Sequence, residues 1–272
     1  MRRKVRGQLL GAVGFATLSG PAALLLGAAI LGAPKPAQAG YAVEVFDDGV
    51  LQAGIGVLVS GNSLVFTGST THFSITNGSG ASNNPGTQGG SDLVLSNNEQ
   101  ISTTFGATGG THTIEIVLSQ TNWTAPTGNP VSLSSSAGGS IGYVAGTNLS
   151  ATEMVTSSYQ GFLDNTNTLF GEPGSGASPV ETASAMLSTV GTDSLVYNPS
   201  PSVNPNVPNG IPFSLTDVLT FTFTLSAGSG QDTANASANT DVSLVPEPAS
   251  LTILGGAFVG LGLLGRRRRK TV

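Results

Sequence analysis

The chain has 272 residues, with 10 lysines and arginines, 15 aspartates and glutamates, two histidines and no cysteine. The missing thiols exclude thiolate catalysis, iron–sulfur clusters, Cys-zinc sites and disulfides. All the lysines and arginines lie outside Gly40 to Val245, a stretch of 206 residues that carries 14 of the 15 acids and a net charge of −14, so it cannot neutralise phosphate and nucleic-acid binding is excluded.

The N-terminus begins with a positive cluster, Arg2, Arg3, Lys4 and Arg6. An uncharged run from Leu9 to Leu31 follows, interrupted by Ser19-Gly20-Pro21. Ala37-Gln38-Ala39 then places small residues where a signal peptidase reads them, with cleavage expected before Gly40. Residues 1–39 therefore read as a secretory signal peptide and residues 40–244 as the exported body. That body is long enough to build a core without disulfides.

Period-two alternation runs through the body. In Val218 to Leu225, Leu219, Phe221, Phe223 and Leu225 take one face, and Thr220, Thr222 and Thr224 the other. Asn235 to Leu244 alternates in the same way. Other expected strands are Tyr41–Phe46, Ile55–Val59, Ser63–Thr67, His72–Thr76, Asp92–Leu95, Ile101–Phe105, His112–Leu118, Ile141–Val144 and Ser194–Tyr197. Asn77 to Ser91 reads as a long flexible loop. Asn198 to Pro212, with five prolines, reads as an extended crossover. Ser178-Pro179-Val180-Glu181 has the spacing of a capping box, so one helix is expected from there towards Gly191. About ten short strands with Gly- and Pro-rich connections imply an all-β domain. It reads as an antiparallel β-sandwich, jelly-roll or immunoglobulin-like.

The body offers few groups for chemistry. His72 and His112 both fall in expected strands, and His112 is in phase with Ile114, Ile116 and Leu118. Neither has the neighbours of a zinc motif, so both read as structural histidines and no metal ligand is assigned. Asp47-Asp48-Gly49 reads as a hairpin turn; it lacks the spaced oxygens of a calcium loop. With no lysine or arginine to pair with, the carboxylates are expected to be solvated, capped by amides or bound to cations such as Ca²⁺. Trp123, the only tryptophan, is a candidate sugar-stacking platform and otherwise a core residue. No catalytic residue is assigned.

The last 28 residues, Val245 to Val272, have three parts in order. Pro246-Glu247-Pro248 is a stiff polar tripeptide. Ala249 to Gly265 is an uncharged apolar run, expected to form a transmembrane helix. Arg266, Arg267, Arg268, Arg269 and Lys270 form a basic tail that resists translocation. From Val245 to Gly265 a helix would be about 31 Å long, enough for a bilayer core of about 30 Å. Positive charge on the outer side of both apolar runs places both ends in the cytoplasm and exports the middle.

This order resembles the PEP-CTERM sorting signal of Gram-negative bacteria. The resemblance covers residues 245–272, about a tenth of the chain. It implies recognition of Pro246, Glu247 and Pro248 by an exosortase, a membrane-embedded protease-transpeptidase, and removal of the helix and basic tail. It further implies a cell-surface or extracellular destination associated with exopolysaccharide and biofilm matrix. The expected role is that of an exported, non-enzymatic surface protein. The alternatives are a carbohydrate-binding module, with Ca²⁺ as its ligand, and a secreted hydrolase using two of the acids.

Overall fold

Alternating side chains become strand along nearly the whole body. The computed structural model describes residues 40–85, 93–143, 154–172, 174–186, 191–198 and 201–245. The signal segment with Ala37 and Ala39, the Pro246-Glu247-Pro248 motif, the apolar run and Arg266 to Lys270 lie outside the described residues. Gly40, expected to follow the cleavage site, is the first residue of the first strand.

The strands are β1 (Gly40–Asp47), β2 (Val50–Leu51), β3 (Val57–Ser60), β4 (Ser63–Ser69), β5 (Phe73–Ser82), β6 (Leu93–Thr103) and β7 (Gly110–Trp123). They continue with β8 (Val131–Tyr143), β9 (Met154–Asp164), β10 (Gly176–Ala177), β11 (Glu181–Met186), β12 (Thr192–Leu195), β13 (Phe213–Leu225) and β14 (Asp232–Leu244). All pairings are antiparallel. One sheet runs β10-β9-β13-β7-β1-β2, with β11 also on β9 and β3 also on β1; the other runs β12-β8-β14-β6-β5-β4. The two sheets pack face to face as a sandwich, and no helix occurs among the described residues.

The core lies between the sheets. Leu219, Phe221, Phe223 and Leu225 of β13 point inward as the alternation requires, with Ile114, Ile116 and Leu118 of the neighbouring β7. The opposite sheet contributes Leu95, Ile101, Ala234, Ala236 and Ala238. On the outer face, register sets Thr222 beside Thr113 and Thr224 beside Thr111, and their hydroxyls hydrogen-bond at 2.9 and 3.0 Å.

Three expectations change. The strands are longer than the short runs expected: β7, β8, β13 and β14 have 13 or 14 residues each. The first six residues of the expected loop, Asn77 to Ser82, are strand, because β5 continues to Ser82 between β4 and β6. Its glycines are there for steric reasons. A Cβ on Gly78 would meet the Phe66 ring at 2.5 Å, and one on Gly80 would collide with the Tyr41 hydroxyl. The helix expected from Ser178 is absent; Glu181–Met186 is strand, paired with β9 from Tyr159 to Met154. The Ser-Pro-Val-Glu spacing is met by different bonds. Glu181 is buried, and its carboxylate accepts hydrogen bonds from the Ser135 hydroxyl at 2.8 Å and the Ala137 amide at 3.1 Å. The alternation Thr182-Ala183-Ser184-Ala185, exposed then buried, suits a strand laid on the core.

The proline-rich crossover runs beside the start of β8. Val203 bridges Leu133, and Val207 bridges Gly128.

Candidate functional site

The described ion pairs all involve the two histidines, and they meet at one end of the sandwich. Asp47-Asp48-Gly49-Val50 is a two-residue hairpin between β1 and β2. Asp48 and Gly49 both have positive φ, 51° and 78°, which is the type I′ backbone that an Asp-Gly pair favours. The Asp48 amide donates to the Thr113 carbonyl at 2.8 Å, and the Thr113 amide donates back to Asp48 Oδ1 at 2.8 Å. These two bonds fold the hairpin tip onto the start of β7, where His112 sits.

His72 arrives from the β4–β5 turn. The Thr70 hydroxyl shapes that turn by accepting from the amides of His72 and Phe73, at 3.3 and 3.0 Å. Asp47, whose side chain is 3% exposed, fixes His72 twice. Its Oδ2 accepts the His72 amide at 3.1 Å, and its Oδ1 lies 2.9 Å from the ring Nδ1. The His72 and His112 rings stack with centroids 3.6 Å apart and planes 16° from parallel. Phe105, from the loop after β6, sets its edge against both rings, at 6.0 and 4.5 Å.

The two Nδ1 atoms converge on one oxygen. Asp48 Oδ2 lies 2.7 Å from His112 Nδ1 and 3.4 Å from His72 Nδ1. Slight burial raises the Asp48 carboxyl. The His112 hydrogen bond, the Thr113 amide and the charges of His112 and His72 outweigh it, and Asp48 ionises below its ordinary range. The rings are about a quarter exposed and Asp48 more so, leaving one side open to water. Two imidazole nitrogens and one carboxylate oxygen make a donor set suited to a borderline metal ion. The Asp-Gly turn and the inward phase of His112 were readable in the sequence. The meeting of His72 with His112 was not, since it depends on how β5 and β7 face each other across the sandwich.

A second group of acids lies in the core, which no expectation anticipated. Glu99 of β6 and Asp217 of β13 are fully buried. Neither oxygen of Glu99 and neither polar atom of the Asn97 side chain has a hydrogen-bond partner among the described residues. Burial pushes Glu99 well above the usual carboxylate range, and the charge of Asp217 pushes it further. Asp217 is likewise raised by burial; the Thr240 and Tyr159 hydroxyls beside it oppose that, and the charge of Asp241 adds to it. The sequence signal was available. Glu99 is two residues from Ile101, and Asp217 two from Leu219, each in the inward phase. With no solvent exposure, this pair as placed cannot reach a polymeric substrate.

Trp123 is also fully buried, and its indole N–H donates to the Gln120 carbonyl at 3.1 Å. It has no free face for a sugar ring in this structure, and the core reading of this residue describes it. As the only tryptophan it reports on this directly. Its fluorescence should be blue-shifted in the native chain, insensitive to added oligosaccharides, and red-shifted in denaturant. A red, sugar-quenched native emission would contradict the placement.

A shallow groove of about 490 Å³ crosses the outer face of β9, β11 and β13. Thr156, Ser158, Thr182, Ser184, Thr220 and Thr222 line it with hydroxyls, and its lining contains no aromatic ring and no titratable group. No protein-family model matches the chain, and no curated protein matches its sequence.

Proposed function

We propose that this protein is an exported, non-enzymatic β-sandwich, delivered to the cell surface or extracellular matrix through its C-terminal segment and associated there with exopolysaccharide. The observation that carries the reading is the charge arrangement. A body of 206 residues without one lysine or arginine lies between two uncharged runs, each with its cations on the outer side. In the second run the order Pro246-Glu247-Pro248, apolar segment, Arg266 to Lys270 is that of a PEP-CTERM signal. Signal peptidase would cut before Gly40, and an exosortase would act near Pro246-Glu247-Pro248. We read the sandwich as jelly-roll-like, because successive strands β6, β7, β8 and β9 alternate between the two sheets.

Two placements support the non-enzymatic part of the reading. The buried pair is closed to substrate, and the hydroxyl-lined groove has no group able to transfer a proton at neutral pH. The carbohydrate-binding alternative loses its aromatic platform with Trp123 and retains only that groove.

The intact mass of the protein, recovered from its own cells in membrane and medium fractions, tests the delivery. The expected species begins at Gly40 and ends near Pro246, with any modification visible as added mass. A membrane-bound species that keeps Val272 would leave a tail anchor and remove the processing step.

A further inference from the structure

We propose that Asp48, His72 and His112 bind one divalent transition-metal ion of the zinc class, through Asp48 Oδ2, His72 Nδ1 and His112 Nδ1, with water completing the coordination. The proposal does not rest on the delivery reading. One donor atom from each of the three residues lies within 4.8 Å of the others. Bonds of about 2.0 Å at tetrahedral angles imply about 3.3 Å between ligand atoms. The separation of His72 Nδ1 from Asp48 Oδ2, 3.4 Å, already matches this edge. The His112 contact, 2.7 Å, must open by about 0.6 Å to reach it. Asp48 can supply that movement, because its side chain is 41% exposed at a hairpin tip.

Three features prepare the donors. The Thr113 amide holds Asp48 Oδ1, which leaves Oδ2 turned to the rings. Asp47 Oδ2 holds the His72 main-chain amide, while the contact of Asp47 Oδ1 with His72 Nδ1 is given up when that nitrogen takes the ion and its proton moves to Nε2. Phe105 closes the rings on one flank, and the stacked rings must splay from their 16° interplanar angle for the two in-plane lone pairs to meet at one ion. The surroundings also favour a cation. No lysine or arginine between Gly40 and Val245 competes for these carboxylates.

The donors select the class of ion. Ca²⁺ and Mg²⁺ require oxygen ligands throughout, whereas two imidazoles and a carboxylate suit Zn²⁺, Co²⁺, Ni²⁺ or Cu²⁺. Binding exchanges water on the hydrated ion for two nitrogen lone pairs and one carboxylate oxygen. Each neutral ring then carries its proton on Nε2. Nothing is oxidised or reduced.

Because the chain has only two histidines, imidazole NMR reads this site alone. The experiment uses the full chain without an affinity tag, in detergent, titrated with Zn²⁺ and separately with Ca²⁺. The expected result is one Zn²⁺ per chain, with the Nδ1 resonances of both histidines shifting together and saturating at that ratio. The thermal midpoint should rise as Zn²⁺ is added, and Ca²⁺ should leave the imidazoles unmoved. Asp48→Asn, which keeps the side-chain shape, should weaken Zn²⁺ binding by more than about tenfold. The proposal is overturned if the imidazoles stay in place up to millimolar Zn²⁺, or if Zn²⁺ binds without moving them. It is also overturned if a folded Asp48→Asn chain binds as tightly as the wild type. Those outcomes leave two His–Asp pairs with a structural role. Should Asp48→Asn fail to fold, the wild-type resonances decide alone.

Discussion

At pH 8 the Glu99→Gln chain should unfold at a higher temperature than the wild type, and at pH 4 the two should nearly coincide. Glu99 is fully buried and has no hydrogen-bond partner among the described residues. The groups around it are Asp217 of β13, the Tyr41 hydroxyl of β1, the Tyr159 hydroxyl of β9 and the Tyr197 hydroxyl beyond β12. None of them is a cation. Its folded pKa therefore lies above the unfolded value of 4.5, and the sign follows. Between those two values the folded state holds a proton that the unfolded chain releases, so stability falls as pH rises through the window. Below it both states are protonated and the penalty vanishes. A glutamine keeps the shape without the ionisation. An uncompensated buried charge costs about 3–5 kcal/mol, and leaving an amide unsatisfied costs about 1–3 kcal/mol. The net gain at pH 8 is then about 2 kcal/mol, or about 4–8 °C in a domain of this size. Thermal unfolding of both chains across pH 4 to 8 checks it. A gap that does not widen with pH would mean that Glu99 is not a buried acid.

Trp123→Ala should be the most damaging of the single substitutions considered. The side chain is fully buried near the end of β7, beside Phe213 of β13, and it is the largest of the fully buried residues. Truncation leaves a cavity and removes the donor to the Gln120 carbonyl, which together cost about 3–5 kcal/mol. At about 2–4 °C per kcal/mol, the midpoint should fall by about 6–20 °C. Trp123→Phe, which restores most of the ring, should recover more than half of that loss. Circular dichroism melts of the three chains decide it. A neutral Trp123→Ala would place the indole at the surface and restore the sugar-platform reading.

These two residues also mark how far the sequence could be read. Alternation found β13 and β14 because their inward positions are apolar over several turns of the pleat, with Thr240 of β14 the one hydroxyl among them. It stopped at Val218 because the next inward residue upstream is Asp217, and a carboxylate there breaks the pattern that was being followed. β5 was cut short for a related reason. Gly78 and Gly80 look like loop residues, and they are glycine because the Phe66 and Tyr41 rings occupy the space of a side chain. The capping-box spacing at Ser178 to Glu181 is a local signal, whereas the partners that Glu181 takes, Ser135 and Ala137, lie more than 40 residues away. The histidine site divides in the same way. Its Asp-Gly turn is local and was legible; its stacked pair joins residues 40 apart, His72 in the β4–β5 turn of one sheet and His112 on β7 of the other, and was not.

The lack of lysine in the body bears on how its sheets end. Exposed edge strands recruit other chains, and many proteins guard them with lysine. This body has none to use, so its edges rely on geometry. β2 and β10 are two residues long, and β12 is four. β4 has seven, interrupted by an irregularity between Phe66 and Gly68. The flanks also shelter one another: β3 of one sheet lies against β4 of the other, and β11 lies against β12. Resistance to edge-to-edge aggregation is thus a property of strand length and of how the sandwich meets itself, and it should persist at salt concentrations that screen its charges.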